Sequence, residues 1–367
     1  MKRIFALSLM LCLLCGCAQA STDIPTTASI PSVPTDPTVP TTVPTEPTQP
    51  DLTGEFLLSF AGDCTFGGNY TYTASSWNTF DKVVGTNYAH PFENVKYLFE
   101  ADDYTFVNLE GTLTTYDPTQ EDMKECWLIN KPFRFRGTPE YVNILTQGSA
   151  EFANIANNHI LDYAKQGMID TQNALTAAGV AWASWDQTAL VTTESGLTIG
   201  VYANSYAFRN DPPEDPEAHL VAGIQALKAQ GAEVIIASLH WGIESKYTPD
   251  STQKELAHAA IDAGANIVYG HHTHTLQPVE SYNGGMIYYS LGNFSFGGNR
   301  NPNDKDTAVI QQKILRAADG TVTLGETILI PCRLSSVTDR NDYRPTPYEE
   351  GSSAYQRCMK KLQGTYK

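Results

Sequence analysis

Three of the chain's 8 histidines lie within four positions, in the segment YGHHTHTLQP at residues 269–278. The apolar run ANIV comes directly before this segment. A single histidine is usually an exposed or hydrogen-bonded ring, but imidazole is also the commonest metal ligand in proteins. Which interpretation applies depends on the other side chains that the fold brings to the same place.

Polar side chains of the kinds that bind metal ions follow five predicted strands. Because ligands gather at the carboxyl ends of strands in open α/β sheets, we expect these side chains to share one edge. They are Asp63, Asn108, Glu110, Asn157, Asn158, His159, His240, His271, His272 and His274. Carboxylate, amide and imidazole ligands together favour Mn²⁺, Zn²⁺ or Fe²⁺ over Mg²⁺. Such ions activate water and polarise phosphoryl or acyl oxygens.

The histidine segment also predicts which rings share a site. Alternate residues on an extended strand face the same way, so His272 and His274 should converge. We expect them to bind a metal together with His240, which ends another apolar run. His271 should point away from the site.

One basic stretch stands out in an acidic chain. NKPFRFRG, at residues 130–137, interleaves cations with phenylalanines. Arg136, with Arg134, would bind a carboxylate or phosphate through bidentate hydrogen bonds. The alternative is a solvated loop that its two phenylalanines anchor.

Two further acids lie close to predicted ligands. Asp162 comes three residues after His159 and would orient that imidazole, or would be only a charge at a helix start. Glu244 comes four residues after His240 and is either an acid of the pocket or a solvent-facing carboxylate.

The elements that position these residues alternate along the chain. Apolar runs predict strands at 55–63, 104–111, 151–159, 197–204, 233–242, 265–272 and 285–293. Periodic patterns predict helices at 139–147, 163–179, 216–231 and 251–264, the last with a capping box at Thr252 and Glu255. This order predicts an α/β fold with a largely parallel sheet covered by helices. Residues 308–334 predict an added antiparallel pair.

The N-terminal residues predict export. Residues 1–17 have a basic start and an apolar run too short to span a membrane. LCGC, ending at Cys17, resembles a bacterial lipobox and predicts a lipid anchor, whereas AQA at 18–20 resembles an ordinary cleavage site and predicts secretion. Residues 18–50 are rich in threonine and proline and predict a disordered tether. A folded domain at 51–335 and a C-terminal extension at 336–367 follow.

The charge balance excludes one class of partner. With 24 Lys and Arg against 40 Asp and Glu, the net charge is −16, which disfavours nonspecific binding of nucleic acid. An anionic substrate must therefore meet local cations or metal. The four cysteines beyond the signal allow two disulfides in three pairings, or free thiols.

Seven motifs in this order resemble the CapA family of capsule-synthesis proteins. They are FAGDCTF, NLEGTL, FRFRGTPE, IANNHILDYAKQG, LHWGIES, GHHTHTLQP and YSLGNF, and the resemblance covers roughly residues 56–296. The resemblance implies a calcineurin-like metallophosphoesterase fold, with layered sheet and flanking helices, and a role in forming poly-γ-glutamate capsule.

The resemblance also implies roles for single residues. Asp63 takes the place of the first metal aspartate and Glu110 that of the bridging acid. Asn158 and His159 take the place of the pair that binds metal and assists the leaving group. The three later histidine ligands of the family correspond to His240, His272 and His274. The sequence departs from the phosphoesterase pattern at Thr65, where Asp-x-His would place a further histidine.

Two functions follow from this resemblance and from the residues. The first is a lipid-tethered, extracellular, metal-dependent hydrolase or transferase that acts on a phosphoester or on an anionic polymer. In it His159 and Asp162 would be catalytic, and Arg136, Asn108 and Glu244 would bind substrate. Membrane proteins of capsule synthesis would be its partners. The second is a noncatalytic accessory protein that binds or guides the capsule polymer.

Overall fold

The computed structural model describes residues 52–69, 79–126, 128, 131–185, 187–207 and 212–366. The predicted signal peptide with Cys17 and the predicted tether lie outside these residues. Pro50–Lys367 is one compact unit. In its described part, no helix is both long enough and apolar enough to cross a bilayer.

Strands and helices alternate along this unit. The strands of the described part are β1 (Gly54–Thr65), β2 (Gly68–Asn69), β3 (Tyr104–Leu109), β4 (Thr112–Leu113), β5 (Phe135–Gly137), β6 (Phe152–Asn154), β7 (Ala181–Ala183), β8 (Ala189–Thr192), β9 (Thr198–Ser205), β10 (Val234–His240), β11 (Ile267–His271), β12 (Val279–Tyr282), β13 (Gly285–Tyr288), β14 (Asn293–Phe296), β15 (Asp306–Arg316), β16 (Val322–Arg333) and β17 (Thr346–Pro347). The α-helices of that part are α1 (Phe80–Val83), α2 (Lys96–Phe99), α3 (Gln120–Glu125), α4 (Asn143–Gln147), α5 (Ala164–Ala177), α6 (Pro216–Ala229), α7 (Ser251–Asp262) and α8 (Ser353–Leu362).

Two mixed sheets, of the three sheets in the described part, pack face to face, where the sequence predicted one largely parallel sheet. The first has the order β17-β16-β15-β1-β3-β6-β7, with β14 beside β1, and the second has the order β12-β13-β11-β10-β9-β8. The ring of Phe60 on β1 lies 5.1 Å from Tyr269 on β11 and 5.4 Å from Tyr288 on β13. An apolar run shows that a strand is covered on both faces, but it does not distinguish a helix from a second sheet.

Helices cover the outer face of each sheet, which confirms the predicted layered α/β fold. Outside the second sheet, Leu220 of α6 and Leu256 of α7 share an apolar cluster with Ile235 of β10. Outside the first sheet, Leu175 of α5 packs with Val107 of β3. Each fully buried leucine of this kind contributes roughly 1.5–3 kcal/mol.

The helices predicted from apolar periodicity are present, but one starting signal is wrong. α5, α6 and α7 begin within one residue of their predicted starts. The capping box of α7 is formed by Asp250 and Gln253, and not by Thr252 and Glu255. Both pairs offer the same reciprocal hydrogen bonds at the required spacing, so the pattern fits either register.

The predicted antiparallel pair near the C-terminus is confirmed. β15 pairs antiparallel with both β16 and β1. The residues after 335 pack onto the same unit, where Tyr343 is fully buried with its ring 5.0 Å from that of Phe80. Among the described residues the cysteines are buried free thiols, so no disulfide forms there: Cys64, Cys126, Cys332 and Cys358.

Candidate metal centre

The predicted strand-end side chains converge where the two sheets meet. β1, β3 and β6 run parallel in the first sheet, and β9, β10 and β11 run parallel in the second. Asp63 lies on β1, Glu110 directly follows β3, and residues 157–159 lie on the loop after β6. His240 ends β10 and His271 ends β11. Adjoining strand ends therefore bring residues from distant parts of the chain into one centre.

Asp63 is held by contacts to both of its oxygens. Oδ1 accepts a hydrogen bond from Asn108 Nδ2 at 2.8 Å and lies 3.4 Å from His271 Nδ1. Oδ2 accepts from the His272 backbone N–H at 3.2 Å and lies 3.6 Å from His274 Nδ1. Burial raises the pKa of Asp63. The contacts with His271, His274 and Asn108 lower it by more, so the pKa stays below its ordinary value. Asp63 is therefore ionised, as a metal ligand must be.

Glu110 is a fully buried carboxylate, and neither of its oxygens has a hydrogen-bond partner among the described residues. Oε1 lies 3.7 Å from His159 Nε2 and 3.9 Å from His274 Nε2. Burial, then the charge of Asp63, raises the pKa of Glu110 well above its ordinary value. Asp63, Glu110 and His274 each offer a ligand atom within 4.8 Å of the others. Since an unpartnered buried carboxylate is costly, this arrangement fits a bound cation.

Imidazoles form the other side of the centre. His240 Nε2 lies 2.7 Å from Asn158 Oδ1 and 3.1 Å from His272 Nδ1, and His240 Nδ1 is buried without a partner in the described structure. Burial, reinforced by neighbouring imidazoles, lowers the pKa of His240 well below its ordinary value and that of His272 to about 3. Both rings are thus neutral near pH 7, which is the form that binds metal.

The prediction that His271 points away is wrong. Its ring is buried with Nε2 3.0 Å from Ser238 Oγ and Nδ1 facing Asp63. Alternation holds only along extended backbone, and β11 ends at His271. His272 and His274 have φ values of 91° and 56°, so the chain turns after the strand and all three rings reach the centre.

Asn108, predicted to bind substrate, lies behind Asp63. It has no exposed surface, and its Oδ1 accepts from Asn157 Nδ2 at 3.3 Å. Asn157 in turn donates to the carbonyl oxygen of Leu109 at 2.8 Å. A side chain so enclosed cannot contact a substrate, so this prediction is wrong: Asn108 positions the Asp63 carboxylate.

His159 is oriented by the acid that the sequence suggested. His159 Nδ1 lies 2.6 Å from Asp162 Oδ2, which also accepts from the Phe135 backbone N–H at 2.5 Å. The Phe135 ring stacks on the imidazole at 4.2 Å. Lys131, not singled out from the sequence, forms an ion pair with Asp162 and donates to the Asn158 carbonyl oxygen at 2.7 Å. Its place in the basic segment at 130–137 was the available signal.

Arg136 does not reach the centre, so the prediction that it binds an anionic group of the substrate there is wrong. Its Nη1 donates to Asp117 Oδ1 at 2.7 Å and to the Tyr116 carbonyl oxygen at 3.0 Å. Its guanidinium lies 4.6 Å from the centre of the Tyr163 ring. Neighbouring residues on a strand face opposite ways, and on β5 Phe135 takes the side of the centre.

A cleft of about 470 Å³ opens over the centre. His159 and His274 lie at its base, Phe135 and Tyr247 contribute aromatic wall, and Glu244 is exposed in it. Glu244 thus lies in the pocket, one of the two places considered for it. Among the described residues that line this cleft, none is lysine or arginine.

Two packed sheets with a carboxylate, amide and imidazole cluster at their joined strand ends make this a layered α/β protein with a candidate metal site. Residues 57–298 match the model of the family described as bacterial capsule synthesis protein PGA_cap. The chain belongs to this family, as the seven motifs predicted.

Curated relatives carry related names. The chain is 32% identical over 281 residues to the PGA biosynthesis protein CapA of Bacillus subtilis (strain 168), covering 71% of this chain and 68% of that protein. It is 34% identical over 217 residues to a probable polyglutamine synthesis accessory protein of Mycobacterium tuberculosis, covering 52% and 55%. The crystal structure of TT1561 of Thermus thermophilus matches with a TM-score of 0.39 and 9% identity, covering 74% of this chain and 99% of that one.

Proposed function

We propose that the protein is a metal-dependent hydrolase or transferase that acts on an anionic capsule polymer of the poly-γ-glutamate type. The observation that carries the proposal is the buried, unpartnered carboxylate of Glu110 beside Asp63 and His274. The polymer class rests on the family and on the printed name of the Bacillus subtilis relative.

The proposed ligands lie on both sides of the centre. They would be Asp63, Glu110, Asn158, His240, His272 and His274. A divalent ion of the Mn²⁺, Zn²⁺ or Fe²⁺ type would supply Lewis acidity toward a phosphoryl or acyl oxygen. Because the described residues that line the cleft include no lysine or arginine, anionic groups of a substrate would have to approach this ion.

His159 is the proposed proton-transfer residue. Burial lowers its pKa despite the charge of Asp162, so the ring is neutral near pH 7. Asp162 engages Nδ1, which leaves Nε2 as the nitrogen that faces Glu110 and the cleft. Nε2 would accept the proton of the attacking group and then donate it to the leaving group. Asp162, fixed by Lys131, would stabilise the charged imidazole in between.

The catalytic role is tested by separating chemistry from binding. His159→Gln should retain metal and polymer binding but lose cleavage of γ-glutamyl oligomers by about 10²-fold or more. His258→Gln, whose ring pairs with Glu280 Oε1 at 2.9 Å outside the centre, is the matched control and should behave as wild type. Metal per chain, oligomer binding and cleavage would be measured for each. Equal cleavage by both variants would contradict this role.

A noncatalytic accessory role is the second candidate, and one contact favours it. Where Asp-x-His would supply a further metal ligand, Thr65 donates through Oγ1 to the Glu110 carbonyl oxygen at 2.8 Å. The Mycobacterium tuberculosis relative is itself named an accessory protein. Metal-replete wild-type protein that binds the polymer but cleaves neither γ-glutamyl oligomers nor a phosphoester would support this candidate.

We further propose that the domain acts on the outer face of the cell membrane, anchored through lipid at Cys17. The support is the LCGC motif before a threonine- and proline-rich segment. Cys17→Ser should release the domain into the medium or leave it unprocessed, as fractionation with immunoblotting would show. A soluble wild-type protein that starts at Ser21 would support secretion instead.

A further inference from the structure

One lysine is buried among aspartates at the edge of the cleft. Lys361, on α8, keeps 2% of its side chain exposed. Its Nζ donates to both carboxylate oxygens of Asp304, at 2.8 and 2.7 Å, and to Asp306 Oδ2 at 2.8 Å. Burying ion pairs returns little net stability because desolvation offsets the attraction. Lys361 is therefore better explained as a residue that holds its neighbours in position than as a source of stability alone.

The same ammonium contacts both walls of the cleft. Asp304 belongs to the loop 297–305 and Tyr247 to the loop 241–250, and both residues line the cleft. Lys361 Nζ lies 4.8 Å from the centre of the Tyr247 ring and 5.0 Å from that of Tyr366. The two tyrosine rings meet edge to face at 4.9 Å. A desolvated ammonium against aromatic faces is an attractive contact of up to about 2 kcal/mol.

Asp306 ties this arrangement to the sheet. It is the first residue of β15, and its carboxylate accepts from Arg357 at 2.7 and 2.6 Å and from the Tyr348 hydroxyl at 2.9 Å. α8 is thereby fixed to β15 through two cations. The remaining contacts of Lys361 reach outward to Asp304 and Tyr247, which lie on loops, the class of structure that moves most readily.

We propose that α8 and the tail that follows it act as a clamp that sets the width of the cleft, with Lys361 as the positioning residue for both walls. The clamp holds Asp304 and Tyr247 at a fixed separation above the centre. Its consequence for substrate rests on the proposed function, which places the polymer in this cleft.

The clamp is tested without any substrate, by hydrogen–deuterium exchange. Lys361→Met should raise exchange in peptides from both 241–250 and 297–305, while peptides that carry Asp63 and Glu110 stay unchanged. Lys360→Met is the matched control, because Lys360 is the exposed neighbour on the same helix. Exchange that rises only in α8, or equally across the whole domain, would overturn the proposal.

Two further variants test the two loops of the cleft separately. They also replace Lys361→Met if that variant folds poorly. Asp304→Asn should loosen 297–305 most, with a smaller effect on 241–250 because Tyr247 also contacts Asp304. A stop codon after Thr365, which removes Tyr366 and Lys367, should loosen 241–250 alone. Asp304→Asn added to Lys361→Met should change 297–305 no further, since both act through one contact. Additive effects of Asp304→Asn and Lys361→Met on 297–305, or equal loosening of both loops by either single change, would contradict the clamp.

A binding measurement separates this inference from the proposed function. With metal content equal to wild type, Lys361→Met should bind fluorescein-labelled poly-γ-glutamate on the order of tenfold more weakly, and Lys360→Met should bind as wild type. If wild-type protein does not bind this polymer, the proposed function fails. The hydrogen–deuterium exchange data then decide by themselves whether Lys361 positions the two loops. Unchanged binding with loosened loops would refute the effect on substrate.

Discussion

Two clusters of buried polar side chains lie in this domain, and they differ in how completely their hydrogen bonds are made. At the candidate metal centre, both oxygens of Glu110 and Nδ1 of His240 lack partners in the described structure. At the clamp, Asp306 accepts from Arg357, Lys361 and Tyr348. Burial is similar, with Glu110 at 0% and Asp306 at 1% exposure.

The comparison shows that burial of charge does not by itself indicate function. Native structures satisfy nearly all buried polar groups, so a group left unsatisfied points to something that binds there. Asp306, whose bonds are made within the chain, fixes structure. Glu110, whose oxygens have no hydrogen-bond partner among the described residues, is the carboxylate that the proposed metal would contact.

Asp306→Asn should produce the largest effect, a loss of roughly 3 kcal/mol in the free energy of unfolding. The substitution removes the charge that Arg357 and Lys361 share and leaves the buried ammonium of Lys361 with one carboxylate fewer. Urea unfolding followed by tryptophan fluorescence would measure the change. Asp339→Asn is the control, because that carboxylate is mostly exposed. Equal stability of the two variants would mean that the clamp charges are not needed for folding.

Glu110→Met should act in the opposite direction. Without metal, replacing an unpartnered carboxylate by an apolar side chain of similar length should stabilise the domain by about 1–3 kcal/mol. Metal affinity should fall more than about a hundredfold, since a ligand is lost. Melting temperature with and without chelator, together with metal titration, would measure both. A destabilised metal-free variant would show that Glu110 has partners within the fold.

The two buried carboxylates Asp306 and Glu110 should also give opposite pH slopes of stability. Burial raises the pKa of Asp306, but Arg357 and Lys361 hold it below its ordinary value, so its contribution is present above about pH 3.8 and is lost as pH falls. The raised pKa of Glu110 means that its contribution is present below about pH 4.5 and is lost as pH rises. Each slope reaches at most about 1.4 kcal/mol per pH unit.

Metal-free unfolding between pH 3 and 9 would resolve these slopes. Asp306→Asn should reduce the loss on the acid side, to which Asp63 also contributes, and Glu110→Gln should reduce the loss on the alkaline side. Adding metal should restore stability at higher pH, because Glu110 must release its proton to bind an ion. An unchanged acid side in Asp306→Asn, or an unchanged alkaline side in Glu110→Gln, would contradict the contrast between these two carboxylates.

His271→Phe should have a smaller effect, a reduction of metal affinity by about tenfold. The ring faces Asp63 Oδ1 and Ser238 Oγ, and phenylalanine fills the volume but offers no nitrogen to the aspartate. Metal titration beside His219→Phe, a histidine that contacts Tyr202 outside the centre, would measure it. Wild-type affinity would show that Asn108 alone positions Asp63.

Arg136→Ala should have the smallest effect. Its partner Asp117 is largely exposed, and exposed ion pairs and cation–π contacts each contribute about 1 kcal/mol or less. Metal content and polymer binding should stay within twofold of wild type, as titration calorimetry would show. A large loss of polymer binding would mean that Arg136 turns into the cleft when polymer binds.

Of these two clusters, the sequence predicted only the one at the candidate metal centre. The centre could be predicted because apolar runs mark strands, strand ends share an edge, and the residue types there suit metal. The clamp gave no such signal. Lys361 and Asp304 are 57 positions apart, and an ordinary lysine near a chain end is typical of a solvated helix face.

The sequence by itself determined the family, the layered α/β class and most of the strand-end side chains that meet at the centre. These follow from local patterns, which a strand or helix carries within its own residues. Only the tertiary structure decided that two sheets face each other, that His271 turns inward, that Arg136 turns outward and that Lys131 supports Asp162. Those outcomes depend on backbone that leaves the extended conformation and on partners far along the chain. Hydrogen bonds between such distant residues form only when the whole domain packs, so no local pattern could specify them.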